Sequence, residues 1–374
     1  MGKIHGVNSG YDVKPAAIVA GEPTKPRKRT NHMFAGPDYS IVHPGIFPHP
    51  AGDALALATL GEWLEFDVEA EWGSSEFEKE IRAKKKADEE TPDFQSPWDN
   101  TSKRKKAWKM IEEQKELLER YRLAQLQVLR AGYQLGEMVV DKTGEDGIEF
   151  RIEVQNGTDG HNVPTGFIAE RSVFLEVTVT DSEGQVVMRS GDTDPNGDVR
   201  DSHSTYVHNG ELHVDEQLFS LQSKFITRNV RGGEREQVLA INHSVDPLPF
   251  LRPATFSTIA TGEPRGARTH RMGIEPNGHR WAKYEVRADQ LTGKGPYKAE
   301  VNLISGMVPP NLIDAIKHVG FDYNMSAREV ADKVVAGRSR LHEHTLDLAV
   351  TGKQERDFDC CADPMQLPLT GEGE

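Results

Sequence analysis

The chain has 374 residues, with 45 Lys and Arg against 59 Asp and Glu, and a formal net charge of -14 at pH 7. This acidic balance argues against a general nucleic-acid binder, which needs excess cations to neutralise phosphates. No apolar run approaches the ~18 residues of a membrane-spanning helix. The length allows two or three domains with buried cores. We therefore expect a polar chain with neither a membrane span nor a nucleic-acid partner.

Residues 1–60 are rich in Gly, Pro and His and lack a regular apolar period. His32, His43 and His49 lie within 18 residues of one another, among prolines and aromatic residues. Long loops in compact chains are usually functional or disordered. We predict an extended arm, whose proline- and lysine-containing part at 21–29 is interpreted as solvated.

A charge run and a long helix are predicted between residues 61 and 137. The run at 76–90 is interpreted as an exposed helix or a solvated insertion. The helix is predicted over residues 101–137; Thr101 or Ser102 can cap its start, and neither Pro nor Gly occurs before Gly132. Its predicted packing stripe follows the helical period. The stripe consists of Met110, Leu117, Tyr121, Ala124 and Val128, and it is widened by Ile111 and Leu118.

Residues 138–310 carry the pattern of antiparallel strands. Apolar and polar residues alternate at 148–154 and again at 173–179, with Gly- and Asp-containing turns between candidate strands. Short strands without intervening helices favour a two-sheet sandwich. The predicted fold class is therefore α+β. An extended His/Pro-rich arm and a long helix precede the sandwich, followed by a helical segment at 311–350 and an acidic tail at 351–374.

The stretch from 156 to 180 stands out within the sandwich. The sequence Gly-His-Asn-Val-Pro-Thr-Gly at 160–166 places His161 between residues that allow unusual backbone angles and a proline that stiffens the exit. A histidine nitrogen is a good ligand for haem iron when its ring is held rigidly. The alternative is a polar turn residue. His342 and His344 are expected at the surface near a helix end.

Several segments, in this order, resemble the haem-attachment-free C-terminal region of periplasmic or extracellular multihaem c-type cytochromes. Residues 160–171 look like a Gly-His-x-x-Pro-Thr-Gly motif followed by Arg. Residues 31–38 are similar to an element that follows a haem-attachment site in that family. Segments 246–253, 278–281 and 320–332 look like further parts of it. The resemblance covers roughly residues 30–50 and 138–345.

The resemblance implies an electron-transfer protein, or a fragment or subunit of one, in the periplasm or outside the cell. It makes residues 1–60 a haem-contacting arm and His32, His43, His49 and His161 distal ligands of haem c, with His5 a weaker candidate. The sandwich would shield haems or dock a redox partner. Whether the protein is an enzyme stays open.

This chain departs from the family because it contains no CxxCH sequence. Its two cysteines, Cys360 and Cys361, are adjacent, so they provide no disulfide framework. The haem would be attached to a partner chain or to a segment upstream of Met1, and we expect the upstream segment. A haem-bearing segment or subunit is thus the first expected partner.

A second candidate site is an acidic loop. Oxygen-bearing side chains alternate with other residues as at the start of a calcium loop, with Gly197 at the turn, but His203 stands where a bidentate Glu is needed. The alternative is an Asx-rich turn. With calcium, a haem-independent extracellular binding module is the rival function. The candidate ligands are Asp192, Asp194, Asn196, Asp198 and Asp201.

Overall fold

The structure is a computed structural model. It describes residues 51–165, 168, 170–228, 236–238, 268–319 and 325–354, and within the first 38 residues it describes 2–3, 8–13, 18–19, 22–23, 27–30, 34–36 and 38. The chain divides into two compact units. The sandwich unit comprises residues 1–37, 124–316 and 334–374, and the helical unit comprises 38–123 and 317–333.

The described part of the N-terminal arm consists of short strands, which pair as β1 with β6, β2 with β5 and β3 with β4. Extended backbone agrees with the predicted arm. The last ten residues of the predicted arm, 51–60, differ from the prediction, because helix α1 begins at Ala51. The strands are β1 Gly2–Lys3, β2 Asn8–Val13, β3 Ile18–Val19, β4 Glu22–Pro23, β5 Arg27–Thr30 and β6 Phe34–Ala35.

The helical unit contains α1 Ala51–Leu57, α2 Leu60–Leu64, α3 Ser75–Lys86 and the first part of α4 Thr101–Gly132. Thr59 and Glu62 form a reciprocal capping box at the start of α2. Most of the charge run at 76–90 lies in α3, which ends at Lys86, and most of that helix is exposed, as the exposed-helix alternative predicts. Among the residues that the structure describes, no helix combines the length and apolarity needed to cross a membrane.

Aromatic side chains form the core of the helical unit. The Trp98 ring lies 5.2 Å from that of Trp63 and 4.8 Å from that of Phe66, between ring centroids. All three are at most 2% exposed. Tilted and edge-on contacts of this kind add to the free energy gained by burying large rings.

Helix α4 begins where predicted, but its buried stripe differs. Of the five predicted positions only Ala124 is buried, whereas Leu117 is 36% exposed. The buried positions in the first half follow the helical period, but apart from Ile111 they carry small or polar side chains that a pattern of large apolar residues does not select. They are Arg104, Ala107, Ile111 and Gln114.

The sandwich unit contains two four-stranded antiparallel sheets, ordered β10-β9-β15-β16 and β14-β8-β7-β17, and a three-stranded sheet ordered β12-β11-β13. Its later helices are α5 Thr205–His208, α6 Pro310–Ala315 and α7 Ala327–Ala336, the last shared with the helical unit. The strands are β7 Tyr133–Lys142, β8 Gly147–Asn156, β9 Ser172–Thr180, β10 Val186–Ser190, β11 Lys224–Arg228, β12 Glu236–Val238, β13 Arg268–His270, β14 His279–Arg287, β15 Lys298–Gly306, β16 Ser339–Asp347 and β17 Gly352–Gln354.

Alternating side chains from both four-stranded sheets meet in one core. Phe150 and Ile152 from β8, and Leu175 and Val177 from β9, are each at most 1% exposed. Successive side chains of a strand point to opposite faces, so a period of two supplies one buried face per sheet. The predicted α+β class with an antiparallel sandwich is confirmed.

The predicted helical segment 311–350 is wrong in its last third. Residues 339–347 form β16, which pairs with β15 and completes a sheet of the sandwich. His342 and His344 therefore lie on a strand, not near a helix end. His344 is 9% exposed, and the ring of His342 lies 2.8 Å from the carbonyl oxygen of Tyr133, so neither is a surface residue.

Candidate functional site

The corner after β8 is held by one buried amide. Asn156, the last residue of β8, is 2% exposed. Its Nδ2 group lies 2.9 Å from the carbonyl oxygen of His161 and 3.1 Å from those of Ile274 and Glu275. Its Oδ1 atom accepts hydrogen bonds from the backbone N–H and the hydroxyl of Thr158. Losing this amide would leave buried polar groups unpaired, so it fixes the corner.

The corner is also joined to the segment that precedes β14. The N–H of Val163 donates to the carbonyl oxygen of Ile274 at 2.9 Å, and the reverse bond is 2.8 Å long. Both residues are at most 5% exposed. The Val163–Pro164 peptide is cis. These two hydrogen bonds anchor the backbone just after His161, while the Asn156 amide anchors the carbonyl group of His161 itself.

The His161 ring itself stands out from this fixed backbone. It is exposed, and its Nδ1 atom lies 3.2 Å from the carbonyl oxygen of Asn162. A Cβ atom at the preceding Gly160 would meet nothing within 4 Å. With the proton on Nδ1, Nε2 keeps the lone pair that an iron ligand needs. The geometry fits an axial ligand, and the assignment of His161 stays a prediction.

The other predicted haem ligands cannot be placed beside it. His32, His43 and His49, together with His5, lie outside the described residues. Their roles stay predictions. The same holds for Cys360 and Cys361.

The acidic loop after β10 is a closed network around Asp194. Its Oδ1 atom accepts from the N–H groups of Asn196 at 2.8 Å and Asp198 at 3.0 Å. Its Oδ2 atom accepts from the hydroxyl of Ser204 at 2.6 Å. The N–H of Gly197 donates to the Asp194 carbonyl oxygen at 2.9 Å. These are the bonds of Asx turns.

The other carboxylates of this loop also face protein donors. Asp192 receives the guanidinium of Arg200 at 2.6 Å. Asp201 accepts from the N–H of His203 at 2.8 Å, and the His203 ring nitrogen Nδ1 lies 3.0 Å from its Oδ2. Within the described residues, no group of three or more His, Cys, Asp or Glu is placed to hold a metal ion. The loop has the bonds that the Asx-turn alternative requires, and the calcium ligands stay a prediction.

Two carboxyl groups in this region have a raised pKa. Burial raises the pKa of Asp198 to about 7; the N–H of Asn311 lowers it, and the neighbouring Asp194 raises it. Burial likewise raises the pKa of Glu170 to about 7, against an opposing effect of His203. Carboxyl groups with such values exchange protons near neutral pH.

A histidine that the sequence analysis did not select lies next to the corner. His279 begins β14, directly opposite Gln155 in β8. Its exposed ring approaches the carboxylate of Glu153. The sequence offers one signal, a Gly278–His279 pair before an alternating strand. The neighbouring carboxylate comes from a strand more than 120 residues earlier and is found only from the sheet register.

Comparison with known proteins gives few similarities. No known protein family matches the chain, and no curated protein matches it. Among solved structures, the chain is similar to a penta-heme cytochrome c552 from Thermochromatium tepidum, with a TM-score of 0.33 and 13% identity. The match covers 59% of this chain and 41% of that one, so the chain spans about two fifths of the cytochrome. A similarity of this size carries no argument about the fold or the activity of this chain.

Proposed function

We propose that the chain provides a histidine ligand to haem iron carried on another polypeptide segment, as part of an electron-transfer assembly of the multihaem c-type cytochrome class. Residues 160–171 resemble a motif of that class, and this resemblance is the reason for proposing haem iron as the metal. The absence of any CxxCH sequence puts covalent haem attachment outside these 374 residues. His161 is the residue that carries the proposal.

The observation that supports this function most directly is the contrast between backbone and ring at His161. The carbonyl oxygen of His161 is tied to the buried amide of Asn156, while the side chain is exposed. An axial ligand must hold its orientation without collapsing onto its own protein, and a bond from Nδ1–H to an oxygen acceptor fixes both the tautomer and the ring. The Asn162 carbonyl oxygen supplies that acceptor.

Haem, when bound, supplies an iron that changes oxidation state by one electron. The role of this chain would be to position the imidazole of His161, and that ligand would influence the spin state and the reduction potential of the iron. The rest of the sandwich would exclude water from the haem edge or dock a redox partner. No catalytic group is required for this role.

The test is a titration with a haem c peptide that has its own proximal histidine and one open axial position. Acetylation of the peptide amino group prevents that group from occupying the open position. Binding through His161 is expected to convert the iron from high spin to low spin and to shift the Soret band. His161→Ala should form one low-spin equivalent fewer than wild type, whereas His208→Ala, which removes another exposed histidine of the sandwich unit, should form as many as wild type.

A second variant separates positioning from ligation. Asn156→Ala keeps the His161 ring but removes the amide that fixes its backbone, so low-spin binding should weaken roughly tenfold to a hundredfold. If His161→Ala and wild type titrate alike, His161 is not the ligand and the proposed function fails.

A further inference from the structure

A buried carboxylate lies on β8 beside the corner that carries His161. The Glu153 side chain is 9% exposed. Its Oε2 atom accepts a hydrogen bond from the N–H of Glu137 at 2.9 Å and another from Nε2 of Gln155 at 2.7 Å. Two donors to one oxygen fix the orientation of the carboxylate and leave Oε1 to face a third group.

A glycine makes room for this carboxylate. The pairing of β7 with β8 shifts register between Leu135 and Met138, and Gly136 lies within the shift. A Cβ atom at Gly136 would lie 2.1 Å from Oε2 of Glu153, a distance that no real contact allows. A glycine inside a strand weakens the strand and often marks a bulge or a close approach of other atoms. Here it allows the carboxylate to lie against the sheet.

The third group is the imidazole of His279. Its Nδ1 atom lies 3.5 Å from Oε1 of Glu153, an ion-pair distance rather than a hydrogen bond, and its side chain is 53% exposed. The Trp281 ring meets the imidazole edge-on, at 6.4 Å between centroids. With Nδ1 turned to the carboxylate, Nε2 on the opposite side of the ring is the atom left for a ligand. Histidines that bind metals usually have such a carboxylate or carbonyl partner.

His279 and His161 belong to the same end of the sandwich. The segment after β8, which carries His161, and the turn before His279 are joined through their backbones. The two bonds that join them are each 2.9 Å long and run from the N–H of Asn156 to the Gly278 carbonyl oxygen and from the N–H of Asn277 to the Thr158 carbonyl oxygen. At this end of the sandwich, each of the two histidines has an exposed imidazole whose Nδ1 atom faces an oxygen atom.

We infer that His279 is a second imidazole ligand for haem iron, oriented by Glu153 and independent of His161. The identity of the metal rests on the proposed function, whereas the ligand role rests on the Gly136, Glu153 and His279 geometry. An ion pair with a half-exposed histidine adds little stability, and burying a carboxylate costs desolvation free energy. A ligand site would explain both the buried carboxylate and its weak ion pair, because the carboxylate would orient the imidazole ring of His279.

The experiment counts equivalents of the acetylated haem c peptide that become low spin on the intact chain. Wild type is expected to bind two equivalents, His161→Ala and His279→Ala one each, and the double variant none. His208→Ala is the control and should bind two. Far-ultraviolet circular dichroism of each variant checks that the sandwich is folded.

The outcomes separate the two proposals. If His279→Ala still binds as many equivalents as wild type, while His161→Ala loses one, the inference is wrong and the proposed function stands. If His279→Ala alone loses an equivalent, His279 is a ligand and His161 is not. No low-spin species with wild type overturns both.

A positioning test examines Glu153 and the source of the metal. Glu153→Gln and Gly136→Ala, which displaces the carboxylate, should each weaken the His279 equivalent roughly tenfold to a hundredfold and leave the His161 equivalent unchanged. Equal weakening of both equivalents would indicate a general loss of structure and contradict the inference. Zn²⁺ alone, added in equimolar amount, should not displace the peptide; displacement from His279 would assign that residue to a free divalent ion and overturn the haem assignment.

Discussion

Arg104 and Glu78 form a two-pronged ion pair inside the helical unit, with both side chains 2% exposed. Their two hydrogen bonds are 2.7 and 2.8 Å long. Arg104 also donates to the Trp98 carbonyl oxygen at 2.6 Å, and its guanidinium lies 4.1 Å from the centroid of the Phe94 ring. The pair ties α3 to the start of α4, where the aromatic core is built.

Glu78→Gln should destabilise the helical unit by about 3–5 kcal/mol, because it leaves a buried guanidinium without a compensating charge. Tryptophan fluorescence during denaturant unfolding measures this, since four of the five tryptophans lie within residues 38–123. The control is Glu80→Gln in the exposed pair with Lys84, where solvent screens the charges and the free energy of unfolding should change little. Equal effects would show that burial of the Arg104 pair does not matter.

Asp198 should make the sandwich unit less stable as pH rises. Its pKa is raised from the usual 3.8 to about 7 by burial, so the folded state holds a proton that the unfolded state releases. The stabilisation that this bound proton gives the folded state is complete below pH ~4 and is lost as pH rises through about 7. Glu170, whose pKa is also about 7, acts in the same direction.

Asp198→Asn should therefore flatten the fall in thermal stability between pH 5 and pH 8, and it should be more stable than wild type at pH 8 by on the order of 2–4 kcal/mol. The asparagine oxygen can still accept from the N–H of Asn311. Asp289→Asn, at an exposed position, is the control. An unchanged pH profile for Asp198→Asn would exclude this carboxyl as the titrating group.

Tyr284 packs a hydroxyl into the sandwich core without a hydrogen-bond partner among the described residues. Its ring stacks on Phe150 at 5.3 Å between centroids. Tyr284→Phe should keep the stacking and stabilise the unit by about 1 kcal/mol, because it removes an unpaired buried polar group. Tyr297→Phe is the matched control and should destabilise by about 1 kcal/mol, since that hydroxyl donates to the Gly293 carbonyl oxygen at 2.7 Å. Chemical denaturation of both variants gives the comparison.

The calcium prediction for the loop at 192–201 has a direct test. Calcium at 1 mM, bound with a dissociation constant near 10 µM, should stabilise the sandwich unit by about 2.7 kcal/mol. Asp194→Asn should remove that gain. If the melting temperature of wild type does not respond to calcium, the Asx-turn interpretation is the correct one.

Strands in which apolar and polar residues alternate strictly could be predicted from sequence, because the polarity of each residue shows whether it faces the core or the solvent. Residues 148–154 and 173–179 are of this kind. Strand β16 was not, since His342 and His344 interrupt its period and its partner β15 lies some 40 residues earlier. The end of α4 at Gly132 was also missed, because β7 begins at the next residue without a loop.

The candidate site divides in the same way. The rigid corner around His161 could be predicted because its glycines and proline are neighbours in sequence, and its ligand role stays a prediction. His279 was not, since Gly136 and Glu153 reach it only through the pairing of β7, β8 and β14. Pairing between distant strands decides which polar side chains meet, and a single sequence does not contain that register.

The uninterrupted register of β14 against β8, from His279 opposite Gln155 to Arg287 opposite Gly147, determines where the His279 ring can stand. Ala282, Tyr284 and Val286 must all remain inside, so β14 can shift only by an even number of residues. The smallest such slip would carry the imidazole about 7 Å along the strand. The ring can therefore occupy only discrete positions along the strand, which the buried core beneath it fixes.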